Sequence, residues 1–171
     1  MADDREWVVA AARRYERPLL AYVRRLLGDA DRGRDVVQDA FLQLCSQPRA
    51  AVEPRLAPWL FAVCRRRAID VLRKENRMVA LTHAAEPPAP RAGPADAAER
   101  LDTTAAVLAR LAGLPAQQQE AVRLKFLQQF SYREIAGVMG LSESHVGVLI
   151  HTAVKTLRSA FADPTHPTGG L

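Results

Sequence analysis

Apolar residues recur at steps of three and four along most of this 171-residue chain, and one alanine- and proline-rich stretch near the middle breaks the rhythm. Such spacing gathers side chains on one face of a helix, whereas a strand would need alternation. Val8, Ala12, Tyr15, Leu19, Val23 and Leu26 form the first stripe. Pro18 lies inside it and is expected to kink or break the helix, and Gly28-Asp29 to end it. A second helix is expected over about 32–44, with Val37, Phe41 and Leu44 inward. Residues 46–58 hold three prolines and are expected to be a loop. A third helix should start near Pro58-Trp59, where proline suits a first turn, and run to about Asn76. Leu60, Cys64, Ala68 and Leu72 are its buried stripe.

The stretch LTHAAEPPAPRAGPADAA has few large apolar residues and clustered prolines, the composition of a semi-extended linker. Helix resumes over about 98–111, and Gly113-Leu114-Pro115 marks a further break. The expected fold is therefore all-α, with two small helical domains joined by an Ala/Pro-rich linker. The domains are set at 1–78 and 99–161, the linker at 79–98 and a disordered tail at 162–171.

Charge narrows the partner. Residues 55–80 carry seven basic side chains (Arg55, Arg65, Arg66, Arg67, Arg73, Lys74, Arg77) against Asp70 and Glu75, a surplus equal to the +5 of the whole chain. On the third helix, Trp59, Arg66 and Arg73 are seven apart, with Asp70 and Arg77 beside them, so the basic residues share one face. A concentrated basic stripe is the electrostatic footprint of a nucleic-acid site, though a solvated helix face has the same composition. On the second helix, Asp35, Gln38, Asp39 and Leu42 fall at i, i+3, i+4 and i+7, away from its inward stripe.

Several classes are disfavoured. Cys45 and Cys64 give neither a disulfide framework nor metal spacing, and both are expected to be buried thiols. The start MADDREWVV is acidic and has no continuous apolar stretch, and no segment reaches a membrane span. A cytoplasmic protein without membrane insertion is expected. No Gly-rich phosphate loop, paired metal-ligand spacing or nucleophile motif is present, so no cofactor, metal site or enzymatic activity is expected. His83 and His166 fall in the linker and tail.

The segment SYREIAGVMGLSESHVGVLIHTA has the grammar of a helix-turn-helix. Ser131 and Glu134 fit a capping box opening one helix. Ile135 and Ala136 give its inner face, and Gly140 can take the left-handed turn. Ser142 can cap the next helix, with Glu143 near its positive end. Val146, Ile150, Ala153 and Leu157 form that helix's buried side. A helix of this kind enters the major groove with its N-terminal residues at base edges. The candidates are Ser142, Glu143, Ser144, His145, Gly147 and Val148, with His151 and Lys155 nearer the backbone. A structural helical hairpin or a free-standing helix-turn-helix regulator would share these features.

Two segments taken together resemble one family. GDADRGRDVVQDAFLQLC with PWLFAVCRRRAIDVLRKENR resembles region 2 of bacterial sigma factors of the extracytoplasmic-function (ECF) group of the sigma-70 superfamily. The run from LPAQQQE to VKTLR resembles their region 4. The resemblance covers roughly 7–78 and 111–161, and implies a subunit that directs RNA polymerase to promoters. It implies that Asp35, Gln38, Asp39 and Leu42 dock on core polymerase. It assigns the −10 element to residues 47–58 and to Trp59, Arg66, Asp70, Arg73 and Arg77, and the −35 element to the helix-turn-helix. Core polymerase, promoter DNA and an anti-sigma factor are the implied partners. Two departures bear on promoter choice. Arg66 stands where the family often has Asn, and Gly147, Val148, Leu149, Thr152 and Val154 stand where the recognition helix usually carries Lys or Arg.

Overall fold

The computed structural model describes residues 2–82 and 102–162, and every regular element among them is helical. The chain divides into two compact units. The first holds α1 (Ala2–Leu27), α2 (Ala30–Cys45), α3 (Arg49–Val52), a 3-10 turn at Glu53–Arg55 and α4 (Leu56–Thr82). The second holds α5 (Asp102–Ala112), α6 (Ala116–Phe126), most of α7 (Tyr132–Met139) and α8 (Glu143–Ala162).

In the first unit α1, α2 and α4 pack against one another. Their shared core is Leu19, Val23, Val36, Ala40, Leu44, Leu60, Phe61 and Cys64, with the Tyr22 and Phe61 rings 5.0 Å apart across the α1–α4 seam. Of the kink or break expected at Pro18, a break does not occur: helix α1 carries on through it. Proline removes one ladder hydrogen bond and costs about 3 kcal/mol in a helix interior. Burial of Ala11 before it and of Leu19, Tyr22 and Val23 after it holds both halves to the same core. Val8, Ala12, Tyr15 and Leu26 are only half-buried, so the true seam lies to one side of the expected stripe.

Helix α2 starts two residues earlier than expected. Asp29 caps it, accepting hydrogen bonds from the Asp31 and Arg32 backbone N–H groups at 2.8 and 3.1 Å. The hydrogen bond from the Arg32 N–H, chief among the causes, holds the Asp29 carboxyl below its ordinary range. A lowered folded value means the cap contributes above the ordinary carboxylate range and is lost as pH falls through that lowered value. Val36 joins Val37 and Leu44 inside, while Phe41 stays half-buried. Cys45 is exposed, correcting the expectation of a buried thiol: one step beyond Leu44, it has turned off the packed face. Cys64 is buried, and loss of hydration pushes its thiol up to about 12.

The expected loop at 46–58 is mostly short helix: α3, the 3-10 turn and the first turn of α4 follow in succession, with Val52 buried as their anchor. Pro58 falls in the first turn of α4, where a missing N–H breaks no ladder bond, so α4 begins ahead of it. At its other end α4 runs six residues past Asn76, to Thr82, because no proline or glycine stops it before Pro87. The remainder of the expected linker, 83–98, lies outside the described residues, as do 163–171 of the tail, His83 and His166.

In the second unit α5 and α6 pack on α8. Leu114, Val122 and Ala153 form a buried cluster, with Leu111 and Leu157 against it. Gln119 ties the α5–α6 turn by donating to the Ala112 and Leu114 carbonyls at 3.0 and 2.7 Å. Between α6 and α7, Gln129 adopts a left-handed φ of 58°, a conformation usually left to Gly or Asn. The buried Phe130 beside it, donating its N–H to the Leu124 carbonyl at 3.2 Å, fixes the turn.

Candidate polymerase and nucleic-acid interfaces

Burial of Val36, Val37, Ala40 and Leu44 turns the opposite side of α2 to solvent. Asp35, Gln38, Asp39 and Leu42 are all exposed there, Leu42 to 59%. The neighbouring charges are already used. Arg32 pairs with Asp29 and with Glu75 of α4, and Arg34 pairs with Asp31 at 2.6 Å. Among the described residues no cation pairs with Asp35 or Asp39, which share this side with the exposed Leu42. Two free carboxylates and an apolar side chain on one rigid face suit a partner helix bearing arginines.

Helix α4 has the opposite character. Leu60, Phe61, Cys64 and Ala68 face the core, and Arg66, Asp70, Arg73 and Arg77 emerge on the outer side. Trp59, half-buried, stands at the start of this line, beside the short helices at 49–55. Arg66, Arg73 and Arg77 thus share one exposed side of α4, with long guanidinium side chains able to follow a phosphate backbone.

The helix-turn-helix forms as expected. Ser131 Oγ accepts from the Glu134 N–H at 3.2 Å while Glu134 accepts from the Ser131 N–H at 2.7 Å, completing the capping box. Gly140 closes α7 at φ 68°, where an L side chain would be strained. Ser142 Oγ accepts from the His145 N–H at 3.2 Å at the start of α8. Val146, Ile150 and Ala153 are buried, leaving Ser142, Glu143, Ser144, His145, Val148, His151 and Lys155 exposed. Val148 is 62% exposed, whereas Leu149 is buried, so Val148 is the apolar side chain this face offers.

Tyr132 is a residue the sequence reading missed. Its ring lies against Gly147, and the Lys125 ammonium sits 5.2 Å from the ring centre while donating to the Phe130 carbonyl at 3.3 Å. An alanine Cβ at 147 would meet the Tyr132 ring at 3.7 Å, an ordinary contact. Gly147→Ala is therefore expected to stabilise the second unit by about 1 kcal/mol through helix propensity, and a denaturant melt of the full chain checks it. A loss of stability would mean that the added methyl group does not fit beside Tyr132.

Comparison with known proteins decides the family. Residues 11–78 match the family model "Sigma-70 region 2", and residues 104–157 match "Sigma-70, region 4", in that order on one chain. The chain belongs to the sigma-70 family, in its ECF group. It is 28% identical over 143 residues to the ECF RNA polymerase sigma factor SigL of Mycobacterium tuberculosis, covering 82% of this chain and 80% of SigL. It is 20% identical over 147 residues to the ECF RNA polymerase sigma factor SigM of Bacillus subtilis, covering 86% of this chain and 90% of SigM. Its fold is similar to that of the sigma factor RpoE, crystallised with the anti-sigma factor NepR from Bartonella quintana. The TM-score is 0.65 at 22% identity, covering 95% of this chain and 98% of RpoE.

As an ECF sigma factor this protein directs RNA polymerase to promoters and initiates transcription. The free-standing regulator is not favoured, since it would leave the region 2 match without a role. Among the described residues, no helix is long and apolar enough to cross a membrane.

Proposed function

We infer that the two units divide promoter recognition between them, with 1–78 holding core polymerase and opening the −10 element and 99–161 reading the −35 element. One observation carries this reading: the first unit presents an acidic-amide face on α2 and an arginine face on α4, both backed by the same core. Asp35, Gln38, Asp39 and Leu42 dock on core polymerase. Trp59, Arg66, Asp70, Arg73 and Arg77 track the opened −10 strand, with Arg66 directed to a phosphate or a guanine edge. In the second unit Ser142, Glu143, Ser144, His145, Gly147 and Val148 approach −35 base edges, and His151 and Lys155 the backbone. No Lys or Arg lies between 142 and 153, so this helix reads by fit, hydroxyl contact and apolar contact with thymine methyl groups more than by charge.

The chain performs no chemistry of its own and works in the cytoplasm. An anti-sigma protein is its regulatory partner, as NepR is for the structurally similar RpoE. Mobility-shift assays with and without core polymerase test the division of labour. The chain alone is expected to leave promoter duplex unshifted, and the complex with core to shift it. Tight, dimeric binding by the chain alone would favour the independent regulator.

A further inference from the structure

The short helices that join α2 to α4 are tied to the start of α1 by one arginine. Arg49 opens α3, and its guanidinium carbon lies 5.7 Å from the centre of the Trp7 ring on α1. The same guanidinium donates to Glu53 Oε1 from Nε at 3.1 Å and from Nη2 at 2.8 Å. A planar guanidinium can meet an aromatic surface and bind a carboxylate at its edge at once, which lysine cannot do. Arg49 and Trp7 are both half-buried, so the contact is partly withdrawn from water. Val52, 3% exposed, plugs the same segment into the core from below. The segment is thus held by an apolar anchor, Val52, and by the cationic Arg49. Trp7 lies outside the faces assigned to polymerase and DNA, and Arg49, within 47–58, turns its guanidinium to Trp7 and Glu53.

We propose that Trp7 and Arg49 are positioning residues for −10 recognition: their contact, completed by Glu53, sets the conformation of 47–58 and so the promoter bases that this segment accepts. The proposal rests on the reading of 47–58 as part of the −10 surface. An exposed pair such as Arg49–Glu53 holds little by itself. Its use here is geometric, because it fixes the guanidinium plane that faces Trp7.

The test uses the full chain with core polymerase and a promoter library randomised over the −10 element, with the −35 element constant. Trp7→Ala and Arg49→Lys are each expected to flatten the preference between favoured and disfavoured −10 sequences by about two- to thirtyfold, the range of a partly desolvated cation–π contact. Affinity for core, measured by competition, should be unchanged, and Trp7→Tyr should restore the preference. A purely structural role would lower the melting temperature and scale all promoters together, and that result overturns the proposal. Arg49→Lys, a conservative change at a surface segment, decides the matter if Trp7→Ala does not fold. Ala50→Glu, which adds a negative charge on the exposed side of α3, separates the two claims. If it impairs initiation while the Trp7 and Arg49 variants keep the wild-type preference, the segment reads DNA without this contact and the proposal fails. If Ala50→Glu has no effect, the assignment of 47–58 to the −10 surface fails, and the positioning role falls with it.

Discussion

Replacing Asp35, Gln38 and Asp39 together by alanine is expected to remove stable association with core polymerase while leaving the first unit folded. Each charge-assisted hydrogen bond lost at a buried interface is worth about 1.5–3 kcal/mol. The two carboxylates alone then correspond to about a hundredfold to ten-thousandfold in Kd. The fold should tolerate the change because all three side chains are exposed, while Val36, Val37, Ala40 and Leu44 hold α2 in place. Exposed substitutions away from special features usually alter stability by about 0.5 kcal/mol or less. A competition assay against labelled wild-type chain gives the affinity, and circular dichroism gives the helix content. Unchanged affinity would remove this face from the polymerase interface. A cooperative loss of helix would make it a structural element instead.

The second large effect is expected from Arg66→Ala, Arg73→Ala and Arg77→Ala combined. If the α4 surface follows single-stranded phosphates, each contact removed should lower the salt dependence of binding by about 0.7 in log–log slope, so about 2 for all three. A shallower slope means that the deficit is largest at low salt and narrows as salt rises, since the wild-type protein gains most from releasing counterions. Permanganate reactivity of promoter thymines separates strand opening from recruitment. The triple variant should still recruit polymerase but leave the −10 thymines protected. Normal opening at every salt concentration would make these arginines a solvated face.

The features legible in the sequence are those decided within a few residues. The helix-turn-helix was readable because Ser131, Glu134, Gly140 and Ser142 each act on backbone groups no more than four positions away, and all four act as their chemistry suggests. The exposed faces of α2 and α4 followed from helical periodicity once a single buried stripe was known. What escaped was decided by packing between distant segments. Pro18 is expected to kink or break α1 on local grounds, and two buried flanks keep the helix continuous. Three prolines hid the helices at 49–55, whose anchor Val52 looks like any isolated valine until it meets the core. Cys45 and Phe41 differ from their expected burial by a rotation of one residue about the helix axis. Tyr132 and the pairing of Trp7 with Arg49 join positions from separate helices, and no spacing rule connects them.

The same contrast bears on the −35 element. Local chemistry gives α8 the cap and exposed face that a recognition helix needs, but that side bears histidines, hydroxyls and Val148 where charge would simplify the reading. If the α4 arginines take the proposed −10 role, promoter choice is expected to lean on that face more than on the charge of the second unit.

Run-off transcription with purified core polymerase and the full chain on genomic fragments tests whether this protein directs initiation. Discrete start sites are expected that core alone does not produce, without any nucleotide-hydrolysing activator. If no fragment gives such a start and the chain does not co-elute with core in gel filtration, the assignment of this protein as a promoter-directing subunit is contradicted.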